Sequence, residues 1–102
     1  MIVSIFIQDT PFFYDVIDEV GNNLYALQLE FETWLSEIEG NHPFKKYTEI
    51  IESNGEVSFA GYINIYGPDA FIGWVNVEKY GEKVAVKIKN DTHLTPAVTI
   101  HF

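Results

Sequence analysis

Asn54-Gly55 divides the chain by the spacing of its apolar residues, and this change of period constrains the fold more than any other feature. After it, Val57, Phe59, Gly61, Ile63 and Ile65 alternate with Ser58, Ala60, Tyr62, Asn64 and Tyr66, the two-residue repeat of a strand. Before it, apolar residues recur every three or four positions, as they do on one face of a helix. Helices first and strands after imply an α+β domain: an antiparallel sheet of four to five strands with two to three N-terminal helices packed on one face. With 102 residues there is material for one core, so residues 1–102 are read as a single domain.

The run Met1–Gln8 is β-branched, aromatic and apolar on both alternating faces, which fits a covered strand joining that sheet. Asp9-Thr10-Pro11 has the form of a capping side chain ahead of a first-turn proline, so a helix is expected over about residues 11–20, stopped by Gly21 with Asn22-Asn23. The stretch Leu24–Gly40 fits both periods. As a helix, Leu24, Leu27, Phe31, Trp34, Leu35 and Ile38 share one sector, flanked by Glu30 with Glu37 on one side and Glu32 with Glu39 on the other. As a strand, Tyr25, Leu27, Leu29, Phe31, Thr33 and Leu35 share a face. Length and the Ala, Leu, Gln and Glu content favour the helix. Asn41-His42-Pro43 repeats the cap-then-proline arrangement, and Phe44, Tyr47, Ile50 and Ile51 form a stripe, predicting a third helix over about 43–53. Beyond Asn54-Gly55, Gly67-Pro68-Asp69 reads as a turn. Val75 and Val77 face Val84, Val86 and Ile88 across a Tyr80-Gly81 turn, and Val98, Ile100 and Phe102 alternate as a terminal strand, so residues 56–102 are expected to be largely sheet.

Charge is distributed unevenly. The chain carries −9, from fifteen acids and six basic residues, all of them lysine. Residues 1–44 hold Asp9, Asp15, Asp18, Glu19, Glu30, Glu32, Glu37 and Glu39 with no basic side chain, a net of −8, whereas the other seven acids and six lysines leave −1. Such a field repels nucleic-acid backbones and anionic membranes and attracts basic protein surfaces. Stability alone does not ask for this pattern. Glu37 and Glu39 fall in the last turn of the expected helix, where the dipole is negative and each carboxylate costs about 0.3–1 kcal/mol, and within this stretch no lysine sits four residues from a glutamate to compensate.

Chemistry-bearing motifs are absent from the sequence. Without cysteine there are no disulfides, thiol nucleophiles or thiolate zinc sites. His42 belongs to a helix start; Asp91, His93 and His101 do not have the spacing of a converging ligand set. Gly67-Pro68-Asp69 lacks the lysine and hydroxyl residue of a phosphate loop, and no serine lies in a nucleophile elbow. The expectation is a non-enzymatic domain with no cofactor and no metal, monomeric or a weak dimer. The opening residues lack a basic leader segment and are interrupted after Gln8, so a cytoplasmic location is expected, and Asn90-Asp91-Thr92 then has no consequence as a glycosylation site.

Size, acidity, lack of cysteine and lack of catalytic motifs together make the chain similar to bacterial immunity proteins that neutralise nuclease toxins. The resemblance is one of composition and size over the whole chain and transfers no residue roles. It implies an acidic inhibitor that blocks a basic partner by offering carboxylates where the partner would hold phosphates. A phage-type nucleic-acid mimic aimed at a host defence protein rests on the same physics, and an adaptor domain without inhibitory role is the third reading. The residues expected to meet the partner are Asp15, Asp18, Glu19, Glu30, Glu32, Trp34, Glu37 and Glu39. Because folding is assigned no metal, a chelator should leave the melting temperature unchanged; a drop of several degrees that one divalent ion reverses would overturn that assignment.

Overall fold

The computed structural model describes residues 1–38, 45–64, 67–89 and 94–102, and the architecture is α+β. In chain order the elements are β1 (Ile2–Ile7), β2 (Thr10–Val16), α1 (Asp18–Asn22), α2 (Leu24–Glu37), β3 (Lys45–Ile51) and β4 (Val57–Asn64). There follow α3 (Pro68–Trp74), which runs on as a π-helical segment (Val75–Tyr80), then β5 (Ala85–Lys87) and β6 (Val98–His101). One sheet has the order β5-β2-β1-β6, and β3 and β4 form a separate two-stranded arm.

The strand expected at the N-terminus forms, but the helix expected over 11–20 does not. β2 turns back on β1 through Gln8-Asp9, with Ile7 opposite Thr10 and Ile2 opposite Asp15. Gln8 takes the turn with a positive φ of 54°. Phe12, Tyr14 and Val16 also repeat with period two, and aromatic and β-branched residues fit a pleated surface better than a helix; only the short α1 remains of the expected helix. β6 adds to the other side of β1 in parallel, Val3 beside Val98 and Phe6 beside His101, so the sheet is mixed and not purely antiparallel.

Val3, Ile5, Tyr14, Val16, Ala85 and Ile100 occupy the inner face of this sheet and are buried. α2 covers it, as its helical reading requires, with Leu24, Leu27, Phe31 and Leu35 buried and Gln28 donating from Nε2 to the His101 carbonyl at 2.8 Å. On the outer face Ser4 and Thr99 share a hydrogen bond of 2.7 Å, and Phe6 stacks on His101 at 5.0 Å.

Residues 56–102 are not largely sheet. Gly67-Pro68-Asp69 starts a helix instead of a turn, with Gly67 at the cap and Pro68 in the first turn. Phe71, Ile72, Trp74 and Val75 give it an inward face, and Gly81, at φ 67°, ends it in the left-handed conformation that favours glycine. The pairing of Val75 and Val77 with Val84, Val86 and Ile88 is therefore not formed. Asn76 ties this segment to β5: its Oδ1 accepts from the Val84 and Ala85 amides at 2.9 and 3.0 Å, and its Nδ2 donates to the Ala85 carbonyl at 2.9 Å.

Within the helix expected over 43–53, the described residues 45–51 form a strand and 52–53 lead into a turn. β3 and β4 pair from Lys45–Asn64 to Ile51–Val57, with a bulge near Ile50. Tyr, Thr and two Ile suit a strand, and Asn54-Gly55 closes a hairpin: the Asn54 Oδ1 accepts from the Glu56 amide at 3.0 Å, and Gly55 has φ 86°.

Tyr14 couples the sheet to α3. Its hydroxyl, on a fully buried side chain, donates to Asp69 Oδ1 at 2.7 Å, while Lys87 Nζ lies 3.0 Å from Asp69 Oδ2. Burial, and then the Asp69 bond, pushes the Tyr14 hydroxyl well above its ordinary value; the same bond, helped by Lys87, lowers the Asp69 carboxyl. A lowered carboxyl gives stability that is complete above its unfolded value of 3.8 and fades as pH falls through the lower folded value. A raised phenol gives stability that fades above its unfolded value of 10.0. Tyr14→Phe should therefore cost about 1–2 kcal/mol near neutrality. Denaturant titrations of both proteins across pH check this. The difference should shrink below pH 3.8 and above pH 10.0, and a constant difference through both limits would refute the coupling.

Candidate partner-binding site

Helical geometry puts Glu30, Trp34 and Glu37, spaced by four and three, on one flank of α2. Glu32, two positions from Glu30, is turned by about 200° to the opposite flank. The first flank faces α3 and the π-helical segment. Leu29, Glu30, Thr33, Trp34, Glu37 and Trp74 line an open hollow of about 380 Å³ there. A second hollow, about 270 Å³, is bounded by Trp34, Gly73, Trp74, Val77 and Glu78. Trp34 and Trp74 border both, so the two hollows adjoin along a shared aromatic wall and make a two-part depression.

The two indoles lie 6.4 Å apart at 47°. Beneath them Phe31, fully buried, contacts Trp34 at 6.2 Å and Trp74 at 5.6 Å, which fixes the lining from the core side. Trp74 is 7% exposed, and its Nε1 is buried with no hydrogen-bond acceptor among the described residues. Leaving such a donor unmade costs about 1–3 kcal/mol, so it asks for an explanation beyond packing.

Electrostatically the rim is acidic with one cation built in. Lys79 Nζ donates to Glu30 Oε1 at 2.7 Å, which raises the Lys79 ammonium above its ordinary value. Burial first, and then the nearby Glu19 carboxylate, raises the Tyr80 hydroxyl, with Glu30 adding to the effect. Glu19, Glu30, Lys79 and Tyr80 thus form one neighbourhood at one side of the depression, with Glu37 and Glu78 further along its border.

Of the residues expected to meet a partner, the fold brings Glu19, Glu30, Trp34 and Glu37 to this region. Asp15 and Asp18 are instead engaged by the N-terminal ammonium, at 3.5 and 3.8 Å. Glu32 lies on the other flank of α2, and Glu39 is outside the described residues, as are His42, Asp91 and His93. Gly73, Trp74, Glu78, Lys79 and Tyr80 were not expected here, because residues 70–80 read as strand. The sequence signal for them is Gly67-Pro68-Asp69 as a helix start followed by Phe71, Trp74 and Val75 at helical spacing. Among the described residues no three His, Asp or Glu side chains converge as metal ligands would, and no helix is long and apolar enough to cross a membrane. No protein-family model, curated protein or solved structure matches the chain.

Proposed function

We propose that this chain is a protein-binding domain without catalytic activity of its own, and that it captures a basic partner on the flank of α2 that carries Glu30, Trp34 and Glu37, with Glu19 of α1 adding to the field. The observation that carries this reading is the meeting of an acidic rim with a two-tryptophan lining in one open depression. Tryptophan is enriched where binding energy concentrates, and carboxylates around it steer and orient a cationic surface. An inhibitor of a nuclease-type toxin fits this arrangement, since a nuclease presents cations where its substrate phosphates would lie. A nucleic-acid mimic directed at a defence protein uses the same face on another target.

A second reading is favoured by the β3–β4 arm. Tyr47, Ile50, Ile51, Val57 and Phe59 are 40–62% exposed on a hairpin that pairs with no third strand among the described residues. Exposed apolar area of this kind suits an adaptor that docks a neutral partner.

Charge reversal separates the two. Glu30→Lys with Glu37→Lys should weaken retention of the partner that co-purifies with the tagged chain by at least about tenfold, a loss of about 1.4 kcal/mol or more. Glu52→Lys with Glu56→Lys, an equal change of charge at the tip of the arm, should do little, and added salt should mimic the first pair. Retention that ignores both salt and the α2 pair, but is lost on Ile51→Asp in the arm, would refute the electrostatic reading and establish the arm as the binding surface.

A further inference from the structure

Gly73 is hard to account for by folding. It lies inside α3, its φ is not in the left-handed region, and a Cβ added to it would meet nothing within 4 Å. Glycine within a helix costs about 0.5–1 kcal/mol relative to alanine, and here no turn or close approach requires it. Its missing side chain does leave room: Gly73 is part of the wall of the 270 Å³ hollow shared by Trp34, Trp74, Val77 and Glu78. Trp74, whose buried Nε1 has no hydrogen-bond acceptor among the described residues, is the next residue of the same wall, so two departures from the most stable choice are neighbours in the helix.

The occupant follows from shape and charge. The lining is aromatic and aliphatic, which suits the stem of a long side chain, and Glu78 stands at its border for a charged end, with Glu37 on the adjoining hollow beyond Trp34 and Trp74. The bond from Lys79 to Glu30 at 2.7 Å is an internal example of a cation held on the rim of the adjoining hollow. Between the two long cations, a planar guanidinium stacks on an indole face and forks onto a carboxylate, whereas an ammonium is compact and more strongly hydrated. We infer that the hollow bounded by Trp34, Gly73 and Trp74 is a receptor for an arginine side chain of the basic partner, with Glu78 accepting from its guanidinium and Glu37, on the adjoining hollow, adding to the negative field. This inference rests on the reading of the preceding subsection and makes it specific.

The two tryptophans of the chain, Trp34 and Trp74, both border the hollow, so intrinsic emission reports on it directly. The probe is a short arginine homopeptide, compared with lysine and citrulline homopeptides of equal length. The arginine peptide should produce a saturable change in emission at low salt, the lysine peptide a several-fold weaker one and the citrulline peptide none. Gly73→Gln puts a side chain into the hollow from a helix position with open space around it. It should keep or raise the melting temperature while weakening the arginine peptide by about tenfold or more. Glu78→Gln should weaken it less.

Wild-type affinity in Gly73→Gln, or an equal response to citrulline, would overturn the arginine receptor. If Gly73→Gln binds as wild type while Glu30→Lys with Glu37→Lys does not, the electrostatic reading stands and only the receptor falls. If salt and the paired reversal leave peptide binding unchanged as well, both fall.

Discussion

Phe31 is the side chain on which the arrangement depends. It is fully buried at the junction of α2, α3 and the end of β6, with ring centroids of Phe71 at 5.5 Å, Trp74 at 5.6 Å, Trp34 at 6.2 Å and Phe102 at 6.5 Å. Aromatic pairs at these separations gain about 0.5–1.5 kcal/mol each beyond the area they bury. Because Phe71, Trp74 and Phe102 come from elements distant in sequence, this cluster is where the N-terminal and C-terminal halves agree on one geometry. The open depression is its outer surface: Trp34 and Trp74 are held from below by the core and bounded from above by charge.

Two polar clamps keep the second wall in place. Tyr14, Asp69 and Lys87 fix the start of α3 against β2 and β5, and Asn76 fixes the π-helical segment against Val84 and Ala85. π-Helical geometry is rare and is often found at functional sites. Here it falls on Val75–Tyr80, the stretch that presents Val77, Glu78 and Lys79 towards α2. A regular α-helix would rotate these residues progressively relative to Trp74, so the local widening bears directly on which side chains border the depression.

A capping signal in this sequence is only as informative as the residues on its C-terminal side. A residue suited to capping with proline one or two positions later occurs at Asp9-Thr10-Pro11, Asn41-His42-Pro43 and Gly67-Pro68. At the first it precedes contiguous aromatics that pair with β1, and at the last it precedes Phe71, Trp74 and Val75 and a left-handed Gly81. Local capping preference is worth about 1 kcal/mol, and pairing along a whole strand outweighs it. The stretch 24–37, ambiguous by period, is a helix because one sector of it meets a sheet. β1, α2, β4 and β6 stand where their apolar patterns placed them and make the domain α+β, but Asn54-Gly55 joins two strands and does not mark a change from helix to strand. The acidic flank was half visible: Glu30, Trp34 and Glu37 share a helix face by arithmetic, whereas Trp74, Glu78 and Lys79 join them only through a tertiary contact that no periodicity contains.

The same tertiary contact changes the meaning of the charge imbalance. Along the chain, α2 ends on the Glu37 carboxylate with no basic residue in its last turn, an arrangement that the helix dipole disfavours. In space, the mid-helix flank carboxylate Glu30 is met by Lys79 from a different element, while Glu37 and Glu78 border the two adjoining hollows with no cation of the chain bound to them among the described residues. A domain optimised only for stability would place its lysines beside all three, and the second half of the chain has the lysines to do so. Leaving two carboxylates next to an aromatic lining, a mid-helix glycine that no steric need explains and an indole donor without an acceptor sacrifices stability at a single spot. Departures gathered around the Trp34–Trp74 pair are better explained by what the adjoining hollows receive than by unrelated accidents of packing.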